Sequence, residues 1–302
     1  MSTTMAGTKS NTKAIKIRTG LVTAVMILLA IISLLPIYVL IVNATRASVD
    51  ITGSGVSLIP HLKLFENIGT LNEWASSNKV QYNALIGYKN SGIIAFSTTL
   101  LTVLFSCMTA YGLVVYDFKL KNVAYTIILA VMMIPVQVTS VGFYQFMSKL
   151  GLTDSYLPLI IPAIAAPAVV FFMRQSMKSN FPLEIVEAAR IDGCNEYRTF
   201  FTIGIPMMKP AISVQAIFAF VANWNNYYMP SMILISREQK QLTLPMMVNT
   251  IISNDKLADY GAKYAAIMLS IIPVVVVYFI FSRFIVEGVA LEIGRASCRE
   301  RV

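Results

Sequence analysis

Six long stretches without a charged residue constrain this chain more than any other feature of its sequence. Four of them hold 27 uncharged residues each, and they lie between Arg18 and Arg46, Lys89 and Asp117, Lys121 and Lys149, and Lys209 and Arg237. The other two hold 19 residues each, between Asp154 and Arg174 and between Lys263 and Arg283. About 20 apolar residues are enough for a helix to cross a bilayer, whereas a charge at its centre costs about 2.5 to 3.5 kcal/mol. The pattern predicts an all-α integral membrane protein with six transmembrane helices.

The composition excludes most other classes of protein. Of the 302 residues, 56% are hydrophobic and only 13% are charged, whereas about a quarter of the residues in soluble domains are charged. Disordered chains and coiled coils need more charges, and disulfide scaffolds need more cysteines than Cys107, Cys194 and Cys298. His61 is the only histidine, so no histidine-based metal site is expected.

The six stretches divide the chain into segments. We place the apolar cores at residues 21–42, 92–116, 123–146, 156–173, 211–234 and 265–285. We expect residues 1–20 to be a disordered tail, 43–89 an extracytoplasmic connector, 90–286 a core of five helices and 287–302 a second tail. The uncharged pieces 51–62 and 241–254 are too short to span, so they are expected to be surface or interfacial segments.

The basic residues predict an orientation. The net charge of +9 would suit nucleic acid in a soluble protein, but in a membrane protein it marks cytoplasmic loops. With the N-terminus inside, 11 Lys and Arg fall on the cytoplasmic side before the C-terminal tail, against nine opposite, of which four lie in the long segment 43–90. We expect both termini in the cytoplasm, with residues 21–42 as an uncleaved signal anchor.

The cytoplasmic segment 174–206 contains a helix, a turn and a second helix. Pro182 suits a first helical position, Gly193 can adopt the left-handed conformation that closes a helix, and Asn195 can cap the next one. Ile185, Ala188 and Ala189 recur at helical spacing and predict a shallow apolar ridge. From spacing alone, the ridge either packs on the protein's own surface or meets a partner.

This segment resembles the EAA signature of binding-protein-dependent ABC importer permeases. The spacing agrees throughout, with isoleucine at 205 where leucine is commoner. The matching positions are Glu187, Ala188, Ala189, Gly193, Ile203 and Pro206. The resemblance covers residues 90–290 and is closest to the six-span partner subunit of the maltose-type carbohydrate permeases, which residues 133–137, 151–154, 223–225 and 242–245 also resemble.

The resemblance implies a type I ABC importer permease fold in the bacterial plasma membrane. It implies that segment 174–206, which we call the coupling loop, docks on a cytoplasmic ATPase dimer. It also implies a second, different permease subunit and an extracytoplasmic solute-binding protein, with ATP and Mg²⁺ bound by the ATPase and no cofactor bound by this chain. The sequence has no Gly-Lys pair and hence no phosphate loop, so no catalytic residue is expected. Residues 292–302 depart from the family's usual ending, and we expect them to be an artefact.

Uncharged polar residues within the spans suggest a route for a carbohydrate. At 100° per residue, the side chains of Gln215, Asn223 and Asn226 fall within an arc of about 80° around one helix. The candidates are Gln137, Gln215, Asn223, Trp224, Asn226 and Tyr228. Amides beside aromatic rings suit a sugar, but they can also hold helices together or anchor a span at the interface. Alternatives are an importer of another uncharged solute and a secondary transporter, although the spans lack the charges that ion coupling often uses.

Overall fold

The computed structural model describes residues 6–78 and 80–299, with side chains for 15–78, 80–179 and 181–282. Within these residues the regular elements are all helical. The α-helices are α1 (Ala6–Ala44), α2 (Ser48–Ser54), α3 (Leu64–Ser77), α4 (Ala84–Val115), α5 (Lys121–Met132), α6 (Val136–Lys149), α7 (Leu157–Ile160), α8 (Pro167–Asn180), α9 (Leu183–Ile191), α10 (Glu196–Thr199), α11 (Ile205–Trp224), α12 (Tyr228–Ile233), α13 (Leu244–Ile252) and α14 (Tyr260–Arg299). A 3₁₀ turn occupies Ile161–Ile164, and a π turn occupies Phe200–Gly204.

Five helical segments in the described part of the chain are long and apolar enough to cross a membrane. They are Ile15–Ala44, Ala84–Val115, Leu157–Ser179, Glu196–Trp224 and Tyr260–Ser282. The pair α5 and α6 makes a sixth if it crosses as one span, although its two helices meet at 95°. All six predicted stretches are therefore helical, but one of them is sharply bent.

The third predicted span, over 123–146, is interrupted at Pro135. Pro135 has no N–H for the carbonyl of Val131, which instead accepts from the amide of Ile134 at 3.2 Å. α5 therefore ends at Met132, and α6 begins again at Val136. At 1.5 Å per residue, neither half reaches about 30 Å alone.

The fourth and fifth spans are interrupted as well. Pro167 cannot donate to the carbonyl of Ala163, and the hydroxyl of Thr102 takes its place at 3.1 Å. α11 ends at Trp224, and a separate helix starts at Tyr228. The span predicted over 211–234 therefore contains a break between Trp224 and Tyr228.

The chain divides into two compact units, and residues up to Ser77 together with 255–269 form the first. Its centre is Arg46, which is 2% exposed. The guanidinium donates to the side chains of Asn43 and Ser54 and to the carbonyls of Asp50 and Gly55, at 2.5 to 3.0 Å. The segment after the first span therefore has local structure of its own, with the Arg46 hydrogen bonds and the helices α2 and α3.

One expectation about the tails changes. α1 begins at Ala6, so most of the segment 1–20 is helical and not disordered. The segment 292–299 continues α14, while residues 1–5 and 300–302 lie outside the described residues.

The second unit holds residues 78–254 and the chain from 270 onward, with α4 packed against α11 and α8. Its core lies toward the C-terminal end of α4. The ring of Tyr111 meets the rings of Phe200 and Phe181 edge-on, at centroid distances of 5.2 and 6.1 Å. Met173 of α8 and Val186 of α9 are buried in the same cluster. This core therefore joins the membrane helices to the coupling loop.

The segment 241–254, which we expected to be a surface or interfacial segment, is largely buried against α4. Asn90 donates to the carbonyls of Lys240 and Leu242 at 3.0 and 2.9 Å, and the hydroxyl of Ser91 accepts from the amide of Leu244 at 2.8 Å. Gly87 permits the approach, because a Cβ there would lie 3.1 Å from the Cα of Leu244. The length of this uncharged segment does not predict that it packs against another helix.

We expect Gly87→Val to destabilise the second unit by about 1–3 kcal/mol, since the added side chain would push α13 away from α4. Thermal unfolding of the purified protein in mild detergent measures the change. Gly92→Val is the matched control, because a Cβ at Gly92 on the same helix meets nothing within 4 Å. Equal melting temperatures for the two variants would contradict the close approach.

Candidate functional site

The turn of the coupling loop has the geometry that its sequence predicts. Gly193 adopts φ +77°, in the left-handed region. Its amide donates to Arg190 O at 3.1 Å and the amide of Cys194 donates to Ala189 O at 2.9 Å, which together form a Schellman motif. Pro182 differs from our expectation, since it precedes the first helical residue of α9.

The second helix of the coupling loop is continuous with the fifth span. Asn195 begins it by accepting a hydrogen bond from the amide of Arg198 at 2.8 Å. α10 then runs through the π turn Phe200–Gly204 directly into α11. The π turn lies just before Pro206, whose ring would crowd the carbonyl four residues back in a regular α-helix. The resulting 29-residue rod, Glu196–Trp224, is about 44 Å long.

The expected ridge of Ile185, Ala188 and Ala189 is split between two faces of α9. Ala189 is buried and faces the protein together with Val186, which is 1% exposed. Ile185 and Ala188 are exposed, as is Glu187. One face of α9 therefore packs on the protein, as the first interpretation expects, and the other face is exposed in this chain.

A polar cluster that our sequence reasoning missed sets the angle of the loop. The carboxylate of Glu196 accepts from Arg190 Nε and from the hydroxyl of Tyr116, both at 2.7 Å. Burial raises the pKa of the Tyr116 hydroxyl to about 12, and its hydrogen bond to Glu196 acts in the same direction. The cluster joins the end of α9, the start of α10 and the residue after α4. The only signal in the sequence is the opposite charge of residues 190 and 196 across a predicted turn.

A cavity of about 530 Å³ lies where the three interrupted spans meet. Its wall contains Ile134 from the first break, Ala163 and Ala165 from the second, and Asn226 from the third. The polar side chains that line it are those of Thr102, Thr139, Ser140, Asn223 and Asn226. Broken helices at membrane depth are tolerated where they line such a cavity. The cavity is therefore built from uncharged donors and acceptors.

Two of the predicted pathway residues line this cavity, and a third lies beside it. The amide nitrogen of Asn223 donates to Ala219 O at 2.7 Å, and the amide oxygen of Asn226 accepts from the amide of Met229 at 3.2 Å. The hydroxyl of Tyr228 is 2.8 Å from that of Ser140. The amides are thus held in place by bonds within their own segment.

The other three predicted residues lie elsewhere. Trp224 is buried, with its indole donating to Ser270 O at 3.0 Å and its ring stacked on that of Tyr88. Gln215 is buried within α11, and Gln137 is exposed at the start of α6. The angles calculated for one continuous helix do not apply to Asn226, because α11 ends at Trp224, two residues earlier. Sequence reasoning missed Thr102 and the backbone carbonyls at the helix breaks, because only the fold brings them to this cavity.

We expect Gly193→Val to loosen the turn of the coupling loop, because a β-branched residue with φ near +77° is strained by about 1–2 kcal/mol. Hydrogen exchange of the backbone amides at positions 193 and 194 should become roughly tenfold faster than in the unmodified protein. Gly193→Asn is the matched control and should change exchange less, since asparagine tolerates this conformation. Equal exchange in both variants would contradict the role of the left-handed turn.

The sequence matches the family described as binding-protein-dependent transport system inner membrane component over residues 102–290, more than half of the chain. It is 33% identical over 276 residues to the arabinooligosaccharides transport system permease protein AraQ of Halalkalibacterium halodurans, covering 87% of this chain and 91% of that protein. It is 31% identical over 267 residues to the sn-glycerol-3-phosphate transport system permease protein UgpE of Escherichia coli O1:K1, covering 87% and 93%.

Among solved structures, the fold is similar to that in the crystal structure of a bacterial ABC transporter involved in the import of the acidic polysaccharide alginate. The TM-score is 0.72 with 23% sequence identity, over 88% of this chain and 95% of that chain. At this identity the likeness concerns the fold alone.

Proposed function

This chain belongs to the family of binding-protein-dependent transport system inner membrane components, and on that premise we propose that it moves a carbohydrate into the cell. The family membership confirms the resemblance seen in the coupling loop, and with it the all-α permease fold. The chain is a permease subunit, so ATP hydrolysis belongs to a separate subunit.

The carbohydrate assignment is supported by the names of relatives and by the chemistry of the cavity. AraQ is named for arabinooligosaccharides. The cavity presents hydroxyl and amide groups without a charged side chain, which suits a ligand rich in hydroxyls. Oδ1 of Asn223 and Nδ2 of Asn226 remain for the solute, because the other half of each amide bonds to its own segment. Import of another solute is the second candidate, since UgpE is named for sn-glycerol-3-phosphate.

The observation that carries the coupling role is the continuity between loop and span. The open face of α9 presents Glu187 and Ala188 for docking in a cleft of the ATPase, while its buried face is fixed to the core. Gly193, Ile203 and Pro206 lie on the path from this face into α11. A displacement of α9 is then passed through the rod Glu196–Trp224 to Asn223 near the end that lines the cavity.

The assembly follows from this assignment. Two ATPase subunits, which bind ATP and Mg²⁺, face the coupling loop in the cytoplasm, and both termini of this chain lie on the same side of the bacterial plasma membrane. A second, different permease chain completes the pathway. A solute-binding protein approaches from the opposite side of the membrane. Closure of the ATPase pair moves the coupling loops and exchanges inward for outward access.

We expect Ala188→Asp to abolish uptake while leaving the subunit in the membrane, because it places a charge on the open face without touching the core. The measurement is recovery of the ATPase with the tagged subunit, together with solute uptake in the native host. Ala258→Asp makes the same exchange at an exposed alanine in the other unit and should retain the ATPase. Full recovery of the ATPase with Ala188→Asp would refute docking through this face.

We expect Asn223→Ala and Asn226→Ala each to raise the KM for uptake roughly fivefold, since each removes a neutral hydrogen-bonding group from the cavity. Asn225→Ala is the matched control, because this residue lies between them and is not among the lining residues. Transport of radiolabelled oligosaccharides by membrane vesicles measures KM. If all three variants match the unmodified protein, the solute takes a route outside this cavity.

A further inference from the structure

A second cavity in the same unit, of about 760 Å³, lies beside the start of the coupling loop. It is formed by the end of α4, the start of α5 and the last turns of α8. The substrate cavity lies elsewhere and shares no lining residue with it. Its chemistry is therefore unrelated to the proposed solute pathway.

The lining of this cavity is strongly basic. Four cationic side chains contribute to it, those of Lys119, Lys121, Arg174 and Lys178, against a single carboxylate, that of Asp117. Among the described residues, neither Lys119 nor Lys178 forms an ion pair. Lys121 donates to Tyr116 O at 2.8 Å. The cavity thus carries an excess of three positive charges that the described chain leaves uncompensated.

Arg174 is the buried member of this set. It is 7% exposed, and its guanidinium carbon lies 3.6 Å from the centroid of the Tyr125 ring. Its Nε is buried and has no hydrogen-bond partner in the described part of the chain. An unsatisfied buried donor on a charged group is unfavourable, and guanidinium is the group best suited to bind phosphate oxygens through paired N–H bonds. The cavity therefore contains a buried N–H group, that of Arg174 Nε, which can donate a hydrogen bond to an anion.

The depth of Arg174 indicates where the anion comes from. Arg174 is five residues before the end of the span Leu157–Ser179, or about 8 Å along the helix. Phe118 and Met177 add apolar surface to the same cavity. Basic pockets between membrane helices with an apolar side are typical sites for anionic lipid headgroups. We propose that this cavity binds the phosphate headgroup of an anionic membrane phospholipid, with Arg174, Lys119 and Lys178 as its ligands.

The test uses the full chain, purified in mild detergent, stripped of lipid and examined by native mass spectrometry. The probes are dioleoyl phosphatidylglycerol and dioleoyl phosphatidylcholine, with inorganic phosphate as a competitor. Lys119→Gln with Lys178→Gln removes two exposed charges without disturbing the core. Lys89→Gln with Lys149→Gln removes two exposed lysines of the same unit that are not among the lining residues, and is the matched control.

We expect the unmodified protein to retain phosphatidylglycerol in preference to phosphatidylcholine. Each lysine contributes roughly fivefold to the affinity, so the cavity double variant should bind phosphatidylglycerol about 25-fold more weakly. The control double variant should bind as the unmodified protein does. Arg174→Gln should weaken binding too, but because it is buried, the lysine variants carry the test.

Four results would overturn the proposal. Equal retention of the two lipids, or equal loss in both double variants, would leave no specific headgroup site. Displacement of the lipid by inorganic phosphate at low millimolar concentration would mean that the cavity takes a soluble phosphate. Displacement by the co-purified ATPase would make the basic surface a protein contact. None of these results bears on solute uptake, so the proposed import function is tested separately.

Discussion

A proline within an apolar stretch deprives one carbonyl of its helical donor, and in lipid that carbonyl must find another partner. The rest of the second unit depends on how this constraint is met. The carbonyl of Val131, four residues before Pro135, accepts from the amide of Ile134 in a tighter turn. The carbonyl of Ala163, four residues before Pro167, accepts from the hydroxyl of Thr102 on α4. Pro230 lies at the third break. The three breaks surround one cavity, so unwound backbone is confined to the place where it lines a space.

The opposite end of the unit is organised around aromatic and ionic contacts. Tyr111 packs against Phe181 and Phe200, which flank α9 and α10 in the sequence. Outside this core, Glu196 joins Arg190 to Tyr116. Apolar packing thus fixes where the coupling loop sits, and the polar cluster fixes its angle. The loop and the helix that follows it are held together because both kinds of contact involve residues before and after the turn at Gly193.

Much of the local structure could be predicted from the sequence. Charge spacing located every span, and the loop's turn was predicted because Gly193 and Asn195 act through their immediate neighbours. The breaks were only partly predictable, since a proline permits either a kink or an end, and the packing around it decides. Burial of α13 depends on Asn90, 150 residues or more from the carbonyls that it binds, and such contacts leave no periodic signal. For the same reason, Asn223 and Asn226 share a cavity although they do not share a helix.

The π turn at Phe200–Gly204 makes this part of the helix tolerant of a change in the number of residues. A π turn accommodates one residue more than an α turn, so removing one residue here would restore a regular turn and leave α10 and α11 in nearly the same relative orientation. The same deletion in the regular part of α11 would rotate everything before it by about 100° relative to everything after it. A single-codon deletion in α11 would therefore change the direction in which the coupling loop faces, whereas one in the π turn would largely preserve it.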